Sequence, residues 1–176
     1  MNQDFLVIAI TKPDFYPGEA SRISDLLEEN QVDLVHIRKP GAEEAEIEKL
    51  IIEIPSKWHS RLKLHDGFNL IDKYDLGGLH LNSRNNYLHH KAKSKSISIH
   101  SAEEIDKTEG FDYFFISPVY DSISKKGYKS NFSLEQLSPI IKGRRAIALG
   151  GVVPEKYGEL KAAGFSGAAL SGYFFP

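Results

Sequence analysis

The sequence predicts an α/β fold, a trimmed (β/α)8 TIM barrel formed as a single domain over residues 1–176. Two observations predict it. Short apolar runs rich in β-formers alternate with helical or polar segments along the whole chain, the pattern of a parallel sheet. There are eight such runs, and eight units close a barrel more readily than they extend an open sheet. The structural alternative is an open doubly wound sheet, but no G-x-G-x-x-G follows the first run.

Phe5 to Ile10 is the first strand, and Glu19 to Asn30 a helix with Ile23, Leu26 and Leu27 on one face. Asp33 to Arg38 is the second strand, followed by a helix over Glu43 to Ile54 that Pro55 stops. Leu62 to His65 and Gly78 to Leu81 are the third and fourth strands, with a short helical stretch around Leu70 to Tyr74 between them. Ile97 to His100 is the fifth. Ser101 with Glu104 three residues on has the form of a capping box opening a helix. Tyr113 to Ser117 is the sixth strand, and Ser133 with Gln136 repeats the capping pattern. Arg145 to Leu149 is the seventh, and Pro154 to Ala163 a helix closed by Gly164. Gly167 to Ser171 is the eighth. An eighth helix is absent, so Tyr173, Phe174 and Phe175 are expected to cover apolar surface, either locally or in a homodimer.

Composition removes several function classes. There is no cysteine, which excludes disulfides, thiolate metal sites and a cysteine nucleophile. The net charge of −2 argues against a nucleic-acid footprint, and Lys91, Lys93 and Lys95 read as a solvated run. No apolar stretch reaches the ~18 residues of a membrane span. Met1-Asn2-Gln3-Asp4 lacks the basic start of a signal peptide, so the expected location is the cytoplasm.

In such barrels the chemistry sits at the C-terminal ends of the strands. Those ends carry His36 and Arg38-Lys39, His65-Asp66, His80, Ser98 and His100, and Ser117. Side chains alternate along a strand, so His36 and Arg38 share the barrel face, as do Ser98 and His100. Four histidines thus converge on one mouth, while His59, His89 and His90 read as surface residues. Gly150-Gly151 and Ser171-Gly172 end the last two strands, where backbone N–H groups can bind phosphate oxygens. Ser122, Ser124 and Lys125 lie on a long polar loop after the sixth strand, and their hydroxyls and ammonium suit phosphate or pyrophosphate.

These stretches resemble the thiamine phosphate synthase/TenI family, in one collinear order over nearly the whole chain. The resemblance is carried by Val35-His36-Ile37-Arg38, Leu79-His80-Leu81, Ser98-Ile99-His100-Ser101-Ala102-Glu103-Glu104, Asp112-Tyr113 through Lys125, Ala146 through Val152, and Ala163-Gly164 through Ser171. It implies a thiazole phosphate held at the ends of the seventh and eighth strands. It also implies one of two reactions. The synthase joins an aminopyrimidine diphosphate to thiazole phosphate with magnesium; the TenI branch moves a proton within a thiazole carboxylate phosphate, without metal or cofactor.

The departures favour the second. The synthase's Asn-Asp after the third strand reads His65-Asp66, and its second acidic ligand falls in Asn82-Ser83-Arg84-Asn85-Asn86, which has no carboxylate. Mg²⁺ wants hard anionic oxygens, so Asp66 would be a metal ligand only in a synthase. The lysine after the second strand is displaced by one place, to Lys39. His100 matches the family's catalytic histidine and would be the general acid/base, because a histidine side chain can both accept and donate a proton near neutral pH. His36 and Arg38 would orient the substrate carboxylate. Thiamine phosphate synthase is the alternative reaction, and a non-catalytic ligand-binding or regulatory relative a second alternative. A further reading, in which His36, His65, His80 and His100 ligate a metal, lacks any close-spaced histidine pair to support it.

Overall fold

The computed structural model describes residues 5–87, 89–121 and 133–175. Eight strands, β1 (Leu6–Ile10), β2 (Leu34–Ile37), β3 (Leu62–Leu64), β4 (Gly78–Leu81), β5 (Lys95–Ile99), β6 (Tyr113–Ile116), β7 (Ala146–Leu149) and β8 (Gly167–Ser171), pair in chain order. All pairings are parallel, and β1 closes the barrel on β8 from Leu6 against Gly167 to Ile10 against Ser171.

Strand parity decides where each side chain goes. On the outer face Val35, Ile37, Leu62, Leu64, Leu79 and Leu81 form one core with the helices α1 (Glu19–Glu28) and α2 (Glu44–Glu53). Ile99, Phe114, Ile116, Ala146, Ala148 and Leu170 form a second with α3 (Leu134–Ile141) and α4 (Tyr157–Ala162). Inside the barrel Ile8, Ile10, Tyr113, Phe115, Ile147 and Ala169 pack together.

The helices end where local chemistry requires. Ile54 is extended (φ −88°, ψ 130°) because the ring of Pro55 forbids it a helical conformation. The freed C-terminal carbonyls of α2 are taken up by His59, whose Nε2 lies 3.1 Å from the Ile51 oxygen and 3.0 Å from that of Ile54. His59 is therefore buried, not a surface residue as its sequence context suggests. Ser133 and Gln136 make the expected reciprocal cap on α3. The Ser101 cap does not form. A tighter 3-10 turn runs over Ala102–Thr108, and Glu104 reaches one residue further back, to the N–H of His100 (2.7 Å).

The β3–β4 connection holds only a 3-10 turn, Phe68–Asp72, and the β4–β5 connection has no helix among its described residues. Lys91 and Lys93 on the latter pair with Asp72 and Asp75, which accounts for the basic run. Phe174 and Phe175 pack into the core and Arg22 Nε donates to the Phe174 carbonyl (2.9 Å), so this part of the aromatic tail covers its own barrel; Tyr173 is exposed. No helix of the described residues is long and apolar enough to cross a membrane.

Candidate active site

Parity carries His36, His65 and His80 into the barrel on adjacent strands, and all three are buried. His36 Nε2 lies 2.7 Å from the Tyr113 hydroxyl and its Nδ1 lies 2.8 Å from His65 Nε2. The two contacts share one proton chain: either Tyr113 O–H donates to His36 Nε2 and His36 Nδ1–H to His65, or His65 Nε2–H donates to His36 Nδ1 and His36 Nε2–H to the Tyr113 oxygen. His80 is held by Ser96 at Nδ1 and Ser98 at Nε2, each at 2.9 Å. Burial is the main reason the three stay neutral. It holds His36 and His65 well below the usual imidazole range and His80 at about 3, and the guanidinium of Arg38 depresses the last two further.

Nitrogens of this trio come within 4.8 Å of one another, close enough to raise the question of a metal. The ring geometry answers against it. His65 and His80 stack with centroids 4.2 Å apart and planes 17° from parallel. Imidazole lone pairs lie in the ring plane, and two nearly parallel planes do not converge on an ion at ~2.0–2.1 Å. Both nitrogens of His36 and of His80 already have partners. His100 stands apart from the trio.

That placement revises the expected substrate contacts. His36 is fully buried with both nitrogens used, so it cannot orient a substrate carboxylate. His80 and Ser98 bond each other below the mouth. Lys39 is also lost to the site: its ammonium is fully buried and bonded to both oxygens of Glu19 (2.7 and 2.8 Å) and to the Lys12 and Asp14 carbonyls. A charge so deeply desolvated persists only because it is paired, and it has no donor left for a ligand.

His100 is exposed at the mouth and fixed from two sides. Glu104 holds its backbone N–H, and its ring Nδ1 lies 3.0 Å from the Ser117 carbonyl. A carbonyl only accepts, so Nδ1 carries a proton, and in the neutral ring the lone pair is on Nε2.

Asp66 ends β3 and receives a ring of donors. Arg84 Nε and Nη2 (3.2 and 3.1 Å) and Asn85 Nδ2 (3.1 Å) reach Oδ1, and the Lys39 N–H reaches Oδ2 (3.2 Å). Arg38 lies half-buried at the end of β2. Its N–H is anchored by Thr11 Oγ1 (2.9 Å), and its guanidinium has no hydrogen-bond partner among the described residues.

At the last two strands, Gly150 (φ 90°) and Gly151 (φ 64°) are glycines for a reason the sequence does not show. A Cβ on Gly150 would lie 2.8 Å from Pro118, and one on Gly151 2.3 Å from the Asp121 carbonyl. The loop after β6 packs onto them, so the close approach is to protein. Gly172 (φ 78°) is the opposite case: nothing lies within 4 Å of its Cβ position, and Ser171 before it is exposed. Ser122, Ser124 and Lys125 lie outside the described residues.

A family model described as thiamine monophosphate synthase matches residues 7–173. The chain belongs to that family. The crystal structure of thiamine phosphate pyrophosphorylase from Bacteroides thetaiotaomicron is similar at 34% identity and a TM-score of 0.83, over 96% of this chain and 83% of that one. Thiamine phosphate pyrophosphorylase from Pyrococcus furiosus aligns at 20% identity and a TM-score of 0.75, over 97% and 86% of the two chains. (S)-3-O-geranylgeranylglyceryl phosphate synthase from Thermoplasma acidophilum shares the fold at 13% identity, with a TM-score of 0.68 over 98% and 87%. No curated sequence matches the chain significantly. Among thiamine monophosphate synthases the expected divalent cation would rest on Asp66, and the residues present do not fit it. The Asp66 oxygens are already filled by donors, one of them a guanidinium, and the facing turn from Asn82 to Asn86 offers no carboxylate.

Parity reasoning missed Lys63, Ser96 and Tyr113, which complete the lumen. The signal was available: Lys63 lies two residues before His65, and Ser96 two before Ser98. Asn82, Arg84 and Asn85 carry no such signal, because they act through a turn.

Proposed function

We propose that this chain binds a thiazole phosphate in thiamine biosynthesis and catalyses a proton shift on it, with His100 as the single acid/base. The observation that carries this reading is the Nδ1 contact of His100 with Ser117, which leaves Nε2 as a base facing the mouth. Nε2 removes a proton from the bound ring, giving an imidazolium that Ser117 still holds, and returns the proton at a second ring position. The protein ends as it began and needs no metal. The substrate phosphate would sit against Ser171 and Gly172, where the backbone is open. Family membership supports the substrate class, and the donor-filled Asp66 supports a metal-independent reaction.

The second reading is thiamine phosphate synthase, with Mg²⁺ as the metal the family implies. The specific observation for it is the 34% identity to a protein bearing the pyrophosphorylase name. An assay with both thiazole carboxylate phosphate isomers, aminopyrimidine diphosphate and magnesium separates the two. The proton-shift reading expects no thiamine phosphate from this chain alone, but faster use of the non-aromatic isomer when a known synthase is added. Thiamine phosphate and pyrophosphate made by this chain alone from the aromatic isomer would establish the synthase instead.

A further inference from the structure

The mouth above β2, β3 and β4 is built around a cation that is not a metal. Asn82 opens an Asx turn: its Oδ1 accepts from the N–H groups of Arg84 (3.0 Å) and Asn85 (3.1 Å). Its Nδ2 donates to the His65 carbonyl (2.7 Å), and Asn85 Nδ2 donates to the same carbonyl (3.1 Å) and to Asp66. Both asparagines thus tie the turn to the end of β3, and the result is a fixed position for Arg84. Its Nε–Nη2 edge lies on Asp66. Its other edge, including Nη1, makes no bond among the described residues, and 41% of the side chain remains exposed. Arg38 supplies a second guanidinium, one with no hydrogen-bond partner among the described residues. Both arginines bear on the same imidazole, that of His65, so both charges act on one side of the mouth.

The charge balance gives the ligand its sign. One guanidinium, that of Arg84, lies on the Asp66 carboxylate, the charge of Arg38 reaches the same His65 ring, and the imidazoles beneath are neutral. The local charge is positive, which repels a divalent cation and attracts an oxyanion. A plain surface ion pair would not need the turn that holds Arg84, nor an Asp66 side chain only 9% exposed.

We propose that Arg84, with Arg38, forms a metal-free subsite for a second oxyanion of the substrate, separate from the phosphate position at Ser171 and Gly172. Arginine's planar fork suits carboxylates and phosphates alike. The oxyanion is the carboxylate of the thiazole or the diphosphate of a pyrimidine partner. The carboxylate source rests on the proton-shift reading above; the subsite itself does not.

Calorimetric titrations of the whole chain in chelator test it, with three probes: inorganic pyrophosphate, thiazole carboxylate phosphate, and the same thiazole phosphate lacking the carboxylate. Arg84→Ala should weaken at least one of the first two probes roughly 10- to 100-fold, as expected for a lost charged hydrogen bond. It should leave the carboxylate-free probe unchanged, which also shows that the variant is folded. Arg84→Lys, which keeps the charge but loses the fork, should fall between. Loss confined to the carboxylated thiazole assigns the carboxylate; loss confined to pyrophosphate assigns the diphosphate and removes support from the proton-shift reading while the subsite stands. Unchanged affinity for both probes in Arg84→Ala, or binding of both that appears only when Mg²⁺ is added, overturns the proposal.

Discussion

The two halves of the barrel lumen are built on different chemistry. From β6 round through β7, β8 and β1, Phe115, Ile147, Ala169, Ile8 and Ile10 fill the interior by packing alone. From β2 to β5, Lys63, His36, His65, His80, Ser96 and Ser98 fill the same volume, and each depends on a partner. Apolar packing tolerates loss of a methyl group; a buried polar network loses both a bond and the solvation of the orphaned atom. The polar half is also the half that rises into His100, Arg38, Asp66 and Arg84. The difference teaches that height along a strand, not residue type, separates reacting groups from supporting ones.

The sharpest break in this comparison is at the mouth. His100→Gln should lower the proton-shift rate roughly 100-fold or more, with little change in unfolding midpoint, because the side chain is exposed. Loss of stability without a specific loss of rate would return His100 to the supporting set. One layer down, His36→Ala should cost about 3 kcal/mol, since it opens a cavity and strands both Tyr113 and His65. Denaturant titration reads it. The same titration on Ile147→Val in the apolar half should show only about 1 kcal/mol.

The pH dependence of stability separates the halves again. His36, His65 and His80 are neutral in the folded protein and titrate near 6.5 once unfolded. Below pH 6.5 the unfolded chain binds more protons than the native one, so stability is full above that value and falls as pH drops through it. By pH 5.5 each histidine should cost on the order of 1 kcal/mol. A midpoint unchanged between pH 7.5 and 5.5 would mean that the three are not buried neutral. The smallest effect is at the foot of the polar half. Burial lowers the Lys63 ammonium to about 8, although the Gly77 carbonyl (2.8 Å) and the Ser94 hydroxyl hold it. Between pH 8 and the unfolded value of ~10.4 the unfolded chain keeps a proton that the native one gives up, so stability rises with pH. Lys63→Met should remove that slope and leave the rest of the curve in place.

Much of this was legible in the sequence. The eight strands, their order and their parity follow from apolar periodicity and from the turns between them, as Ile54 before Pro55 and Gly164 after α4 illustrate. The convergence of His36, His65 and His80 followed from parity too. Their depth did not. Whether a residue near the end of a strand meets solvent depends on the register of neighbouring strands, and the sequence does not print register. Lys39 shows the same limit from another side. Its neighbours point to a ligand contact, while Glu19, twenty positions earlier, takes the charge instead.

The sequence by itself determined the barrel, the inward face of each strand and the family to which the chain belongs, because these depend on local periodicity and on ordered motifs. Only the tertiary structure decided which polar residues are chemistry and which are packing. His59 fell to the carbonyls at the end of α2, Lys39 to Glu19, and Asp66 to Arg84. Each outcome was fixed by a partner distant in sequence or by burial, and a buried charge or ring nitrogen binds the nearest complementary group that folding brings to it.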